Sequence, residues 1–186
     1  MKVLNVLVSR TDRAGDLLLT MPIFRELKTA FPNCRITAHV RKYTASLLKM
    51  CPEVDSIIVD DDFAPGLITQ PLINKFKSEN FDVAVLVHPS PRAIMSAFLA
   101  KIPKRIGRAS NLFMPFLNVR KLQHRSKNIK HEFEYNLDLL SGLIKNINPL
   151  PYKIDVFNNI KTLEPKSVVI HPGSGGSAYN IPVQKY

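Results

Sequence analysis

The sequence predicts an α/β fold in which a Rossmann-like parallel sheet is flanked by helices. Apolar runs of strand length alternate with stretches of helical period, which is the pattern of repeated β-α units. The 186 residues are 45% hydrophobic and 22% charged, a composition that suits a globular chain and excludes a disordered or collagen-like one. We therefore expect a mostly parallel sheet with its own core.

Individual elements follow from the same patterns. The first strand is predicted over residues 3–8, and the next helix carries Ile23, Phe24 and Leu27 on one face. Pro22 fits a first helical turn but kinks a longer helix, so this helix begins near Met21 or bends there. The later predicted strands are 35–40, 56–59, 82–87 and 105–107, and the later predicted helices are 43–50, 67–78, 91–100 and 132–144.

The chain divides into three predicted parts. Residues 1–145 are expected to form the amino-terminal Rossmann-like domain. Residues 146–166 contain Pro149, Pro151 and Pro165 and have the composition of a linker between lobes. A new strand and a glycine loop follow, and the sequence ends at Tyr186, so residues 167–186 are expected to be the truncated start of a second domain.

Composition narrows the partners and the compartment. The 26 Lys and Arg against 15 Asp and Glu give a net charge of +11, which favours anionic partners. No nucleic-acid-binding module is recognisable, and no apolar run approaches the ~20 residues of a membrane-spanning helix or forms a secretory signal. The 2 cysteines form no CxxC pair, so no structural metal is expected and the predicted compartment is the reducing cytoplasm.

The first candidate site is the loop 10–16, which leaves the carboxyl end of the first strand. Ligands bind at that edge of an open α/β sheet. Arg10 and Arg13 supply positive charge, and Gly15 permits a tight turn. Asp16 falls where a helix would begin, so it either acts as a base or simply caps that helix, and spacing alone favours the cap.

Two other loops also follow predicted strands. His88 and Arg92 can contact an acidic substrate, although a lone histidine is more often structural. The loop 171–177 can hold phosphate oxygens on its backbone N–H groups, or it is an ordinary glycine turn. Its candidate phosphate-binding residues are Gly173, Ser174, Gly175, Gly176 and Ser177. No GxGxxG or GxxxxGK[ST] motif supports a nicotinamide-linked oxidoreductase or a P-loop NTPase.

Taken in order, these motifs resemble glycosyltransferase family 9, the heptosyltransferases that build the inner core of bacterial lipopolysaccharide. The matching residues near the start are Arg10, Asp12, Gly15, Asp16, Leu19, Thr20 and Pro22. Those in the middle of the chain are 81–84, His88, Ser90, Pro91, Arg92, 105–107, His131, 136–137 and 139–140. The last group is 171–177 with Asn180 and Pro182.

The resemblance implies the amino-terminal lobe of a GT-B glycosyltransferase. It implies inverting transfer of heptose from ADP-heptose to an acidic lipid-linked acceptor, with Asp16 as general base, no cofactor and no obligatory metal. The acceptor would meet Arg10, Arg13, His88 and Arg92, and the loop 171–177 would hold the donor phosphates. The enzyme would work in the cytoplasm, with peripheral contact at the inner face of the cytoplasmic membrane.

Two interpretations of function remain open from the sequence. In the first, the chain is the acceptor-side half of such an enzyme, and the 186 residues alone are expected to show little or no turnover because half of the cleft is missing. In the second, the chain is a non-catalytic basic module that binds anionic glycolipid or a protein partner.

Overall fold

The structure is a computed structural model that describes residues 3–109, 112–125 and 129–147. Its strands are β1 (Asn5–Arg10), β2 (Arg35–Val40), β3 (Ser56–Val59), β4 (Val83–Leu86), β5 (Lys104–Arg108) and β6 (Val119–Lys121). Its α-helices are α1 (Ala14–Leu18), α2 (Met21–Ala30), α3 (Gln70–Ser78), α4 (Pro91–Leu99) and α5 (Glu132–Asp138). The segments Lys42–Met50, Asp60–Asp62, Met114–Phe116 and Leu139–Gly142 are 3₁₀ helices.

The six strands form one parallel sheet in the order β3-β2-β1-β4-β5-β6. The direction in which the chain winds across the sheet reverses between β1 and β4, which lie side by side with Val6 opposite Val83 and Ser9 opposite Leu86. In open parallel sheets the crevice for ligands lies outside the carboxyl ends of the strands at this reversal. The predicted α/β fold with a parallel sheet is confirmed.

Helices cover both faces of the sheet, and alternate residues of the central strand supply both cores. Val6 and Val8 pack on the side of Phe24, whereas Leu7 packs on the side of Phe76. All five of these side chains are buried. Burial on both faces explains why the strands read as nearly continuous apolar runs in the sequence.

The structure corrects several predicted bounds. The first strand is Asn5–Arg10, two residues later than predicted. The segment before Met21 forms its own short helix α1, and α2 then begins at Met21 with Pro22 in its first turn, as one of the two predictions had it. Residues 42–50 are a 3₁₀ helix, and the helix predicted over 132–144 ends as α5 at Asp138 and continues as 3₁₀ turns.

Several predictions concern residues that are not described. Apart from residues 146 and 147, the linker, the second domain and the glycine loop 171–177 lie outside the described residues, so these boundaries and the phosphate-binding residues stay predictions. Within the described ranges, no helix is long and apolar enough to cross a membrane. The same ranges contain no group of three or more His, Cys, Asp and Glu placed to hold a metal ion.

Candidate active site

One buried guanidinium organises the carboxyl edge of β1. Arg10 is the last residue of β1, and its side chain is only 6% exposed. Its Nε donates to Asp12 Oδ1 at 2.6 Å, and its Nη2 lies 2.9 Å from Asp16 Oδ1. Its Nη1 lies 3.8 Å from Glu132 Oε1, at the start of α5. Arg10 therefore holds three carboxylates that come from the loop after β1, from α1 and from α5.

Asp16 contacts Arg10 through one carboxylate oxygen and is partly exposed. It lies in the first turn of α1, and its side chain is 31% exposed. Among the described residues, only Oδ1 of this carboxylate has a partner. The N-cap of α1 is Arg13, which is exposed, and Asp16 is not the capping residue. The capping interpretation of Asp16 is therefore wrong, because the helix begins three residues earlier than that interpretation needs.

One hydrogen bond of the buried Asn136 connects helix α5 with the junction between α1 and α2. Asn136 is fully buried, and its Nδ2 donates to the backbone oxygen of Leu19 at 3.0 Å, in the junction between α1 and α2. A capping box formed by His131 and Glu134 starts α5. These contacts place Glu132 beside Arg10, although the two residues are far apart in the chain.

Asp12 and His88 pair across the two loops that leave β1 and β4. His88 Nδ1 lies 3.2 Å from Asp12 Oδ2, and the ring is 37% exposed. Burial raises the pKa of Asp12, but the hydrogen bond with His88 and the charge of Arg10 outweigh it, so the pKa lies below its ordinary value. The sequence predicted His88 at this site but gave Asp12 no role there, and the only signal for Asp12 was its place in the first motif.

Arg92 turns toward protein carbonyls. Its Nη1 donates to Ala64 O at 2.7 Å and to Gly66 O at 3.3 Å, and its Nη2 donates to Asp60 O at 3.3 Å and to Phe63 O at 3.4 Å. Arg92 therefore fixes the loop 60–66. Its predicted contact with an acceptor stays a prediction, and these bonds show that the guanidinium already has partners without one.

A buried serine, a buried histidine and a partly exposed aspartate lie in a row beside that loop. Ser9 Oγ lies 2.9 Å from His39 Nδ1, and His39 Nε2 lies 3.0 Å from Asp60 Oδ1. Ser9 and His39 are both fully buried, so the serine and histidine cannot meet a substrate and the row does not act as a hydrolase triad. It ties β1 and β2 to the residues that follow β3.

The Asp60 interactions predict an acid-sensitive contribution to stability. Burial raises the pKa of Asp60, but the hydrogen bond and charge of His39 and the charge of Arg92 outweigh it, and the pKa is lowered. When the pKa of a carboxyl group is lower in the folded than in the unfolded protein, its ionised form stabilises the fold. This stability is fully present at pH values above the unfolded-state pKa and is lost as the pH falls through the folded-state pKa. Asp60→Asn should therefore lower the free energy of unfolding by about 1–3 kcal/mol at neutral pH and by much less near pH 3.

Urea unfolding of both proteins at the two pH values measures that difference. The control is Asp62→Asn, since Asp62 is an exposed carboxylate two residues away. An Asp60→Asn effect that is the same at both pH values would show that the charge of Asp60 is not what stabilises the fold.

Two further arginines, Arg108 and Arg125, lie near Glu132 at the carboxyl edge of the sheet, on the side of β5. Arg125 forms an ion pair with Glu132, and its Cζ lies 5.4 Å from the centre of the Tyr135 ring. Arg108 ends β5, and burial together with the positive charges of Arg125 and Arg10 lowers its pKa, against the attraction of Glu132. With these two and the exposed Arg13, the edge has four arginines against the three carboxylates that Arg10 contacts, a small positive excess that suits an anionic ligand.

No family model matches the chain. Over 200 aligned residues, the chain is 30% identical to a Haemophilus influenzae protein that carries the provisional name glycosyltransferase, and this covers 98% of the chain and 58% of that protein. It is 28% identical over 107 residues to lipooligosaccharide heptosyltransferase 2 of the same organism, covering 56% of the chain and 31% of that protein. The chain thus spans only part of the length of either relative.

Two solved structures share the fold. The family 9 glycosyl transferase from Veillonella parvula matches 80% of this chain with a TM-score of 0.64 and 21% identity, over 43% of its own length. ADP-heptose lipopolysaccharide heptosyltransferase II from Escherichia coli matches 81% of this chain with a TM-score of 0.66 and 20% identity, over 45% of its own length. The described sheet and helices correspond to the amino-terminal lobes of these two-lobed structures.

Proposed function

We propose that this chain, which is similar in sequence to a glycosyltransferase and a heptosyltransferase and has the fold of a heptosyltransferase amino-terminal lobe, forms the acceptor-binding side of an inverting heptosyltransferase. The proposed donor is ADP-heptose, and the proposed acceptor is the acidic, lipid-linked inner core of lipopolysaccharide. The names of two of its relatives, a lipooligosaccharide heptosyltransferase and an ADP-heptose lipopolysaccharide heptosyltransferase, support both choices.

The observation that carries the proposal is the placement of Asp16 at the reversal of the sheet. Arg10 binds Oδ1 of this carboxylate, which fixes its orientation, and Oδ2 has no partner among the described residues. Asp12, the other carboxylate nearby, has both oxygens engaged, one by Arg10 and one by His88. Of these two groups, Asp16 is therefore the one that is free to accept a proton from a substrate.

The proposed reaction is a single displacement. The acceptor hydroxyl oxygen bonds to the anomeric carbon of the heptose as the bond from that carbon to the diphosphate oxygen breaks. The hydroxyl proton passes to Asp16 Oδ2, and ADP leaves with the electron pair of the broken bond. Asp16 suffices as a base because the hydroxyl becomes acidic as the new bond forms. The loop 171–177 is proposed to hold the diphosphate.

The positive charge beside Asp16 supports an acidic acceptor. Arg10, Arg108 and Arg125 balance the three carboxylates that Arg10 contacts, so the positive excess on that side comes from a fourth arginine. Arg13 is exposed next to Asp16 and forms no ion pair within the described part of the chain. Acceptor phosphates or carboxylates would be attracted to this edge, and their attraction should weaken with salt.

A transfer assay tests the proposed function. The chain, joined to the carboxyl-terminal half of its Haemophilus influenzae relative, is incubated with ADP-heptose and heptose-free lipopolysaccharide. Mass spectrometry of the acceptor is expected to show a gain of one heptose, and an ADP-linked hexose is expected to react more slowly. If the acceptor binds to the protein but never gains mass, the chain is a binding module and the proposal fails.

We also propose peripheral contact with the inner face of the cytoplasmic membrane, beside the acceptor site. Leu112 is 86% exposed, and Leu122 and Ile129 are each 73% exposed. Leu122 directly follows Lys121, which lies opposite Arg108 in the register of β5 and β6. Leu112 lies in the connection between these two strands. Exposed apolar side chains among basic residues favour anionic lipid surfaces.

Vesicle flotation checks this contact. The double change Leu112→Asp and Leu122→Asp should weaken binding to phosphatidylethanolamine and phosphatidylglycerol vesicles about tenfold. The matched control is Leu67→Asp with Ile68→Asp, since these two exposed apolar residues precede α3 on the β3 side of the sheet. Equal losses from the two double variants would show that the Leu112 side has no special role.

A further inference from the structure

The pair formed by Asp12 and His88 has no role in the displacement described above. It lies at the same reversal of the sheet as Asp16, because its two members follow β1 and β4. It is also joined to Asp16 through Arg10, which contacts both aspartates. Two groups that can accept hydrogen bonds from a substrate, Asp16 Oδ2 and the ring of His88, are therefore linked to one buried cation, Asp16 directly and His88 through Asp12.

The contacts of Asp12 decide which nitrogen of His88 carries the hydrogen. Asp12 Oδ1 accepts from Arg10 Nε at 2.6 Å, and Oδ2 lies 3.2 Å from His88 Nδ1. An ionised carboxylate only accepts hydrogen bonds, so Nδ1 is the donor. The lowered pKa of Asp12 agrees with an ionised carboxylate. In the neutral ring, the lone pair is then on Nε2.

The rest of the loop holds His88 in place and leaves Nε2 open. The backbone N–H of His88 donates to Ser9 O at 3.5 Å, and Ser90 caps α4 by accepting from the backbone N–H of Ala93 at 3.4 Å. The ring is 37% exposed, and among the described residues its only side-chain contact within hydrogen-bonding distance is Asp12. A buried lone pair without a donor would be costly, whereas an exposed one is free for a ligand.

We propose that His88 Nε2 accepts a hydrogen bond from a second hydroxyl of the acceptor sugar, next to the hydroxyl that Asp16 deprotonates. Asp12 is then a positioning residue that keeps Nε2 as an acceptor. This inference rests on the proposed function, and it adds a selection for polyhydroxylated sugars whose hydroxyls reach both groups. Arg10 fixes the geometry, since it binds Asp16 and Asp12 with different nitrogens.

The inference predicts the ring state of His88 in the free 186-residue chain. Long-range ¹H–¹⁵N NMR spectra of the histidine-labelled protein at neutral pH should show hydrogen on Nδ1 and none on Nε2. Deacylated, heptose-free inner-core oligosaccharide should then shift the Nε2 resonance as it binds. An Nε2–H ring in the free protein, or an Nε2 resonance that does not move at millimolar oligosaccharide, would overturn the inference.

Variants separate this contact from a structural role. His88→Ala should weaken oligosaccharide binding about tenfold, which corresponds to one hydrogen bond of about 1.4 kcal/mol. His88→Gln, whose side-chain oxygen can replace Nε2, should stay within about threefold of the wild type. The matched control is His124→Ala, since His124 is an exposed histidine after β6. Equal affinities for His88→Ala and His124→Ala would contradict the contact.

Asp12→Asn tests the positioning role without removing the ring. Arg10 still requires an acceptor at this position, so the amide oxygen should face Arg10 and the amide NH₂ should face His88. The ring is then expected to carry its hydrogen on Nε2, and oligosaccharide affinity should fall about tenfold. A changed ring state with unchanged affinity would show that Nε2 does not contact the sugar. None of these measurements needs the sugar donor ADP-heptose. The inference about His88 can therefore fail while heptose transfer is observed, and it can hold while heptose transfer is not observed.

Discussion

Asp16→Asn is expected to lower the rate of heptose transfer about a thousandfold in the two-lobed protein, because an amide cannot accept the proton of the attacking hydroxyl. The side chain keeps its size, and its Oδ1 can still accept from Arg10 Nη2, so the site should keep its shape. Acceptor affinity should change by less than about threefold. The measurement is kcat at saturating acceptor, with the dissociation constant of the acceptor determined separately.

The control for this variant is Asp62→Asn. Asp62 is an exposed carboxylate on the same edge of the sheet, in the 3₁₀ turn after β3, and it has no ion pair among the described residues. Its removal should leave kcat within about twofold of the wild type. If Asp16→Asn were no slower than Asp62→Asn, the base would have to be another group, and the assignment of Asp16 would be wrong.

Arg10→Met should lower the free energy of unfolding by about 2–4 kcal/mol. Arg10 is buried and lies against Asp12, Asp16 and Glu132, so its loss leaves three partly buried carboxylates facing one another. Removing one partner of a buried charge cluster is costly because the remaining charges lose their counter-ion. Arg125 still pairs with Glu132, which keeps the expected cost below that of a fully isolated charge. Urea unfolding at neutral pH measures the loss.

Two other arginine variants make this result specific. Arg13→Met removes an exposed arginine three residues away and should change stability by less than about 0.5 kcal/mol. Arg10→Lys keeps the charge but loses the forked geometry that reaches two aspartates at once, so it should fall between the other two variants. Equal stabilities for Arg10→Met and Arg13→Met would show that Arg10 does not organise the edge.

The sequence predicted the elements whose patterns are local and long. Strands β2 and β3 have the predicted bounds because β2 alternates polar and apolar residues, β3 is mostly apolar, and both lie between clear breaks. The five-residue helix α1 and the three-residue strand β6 were not predicted as separate elements, because neither is long enough to show a period. Strand β6 is formed by pairing with β5, a contact that its own residues do not encode.

The candidate site was predictable only where it follows strand ends. Asp16 and His88 were selected as candidates because carboxyl ends of parallel strands meet at one edge, and the sheet order brings their loops together. The contact of Arg10 with Glu132 joins the two ends of the domain, and no spacing rule reveals it. The bonds of Arg92 to backbone carbonyls of the loop 60–66 were not predicted, because the sequence does not show the path of that loop.

The most direct test of the central claim is the NMR signal of the Asp16 side-chain carboxyl carbon during an acceptor titration. In the ¹³C-labelled chain, the Asp16 signal should shift with deacylated inner-core oligosaccharide and saturate with the overall dissociation constant, while the Asp62 signal stays in place. An Asp16 signal that does not move while the oligosaccharide saturates the protein would show that this carboxylate does not meet the acceptor.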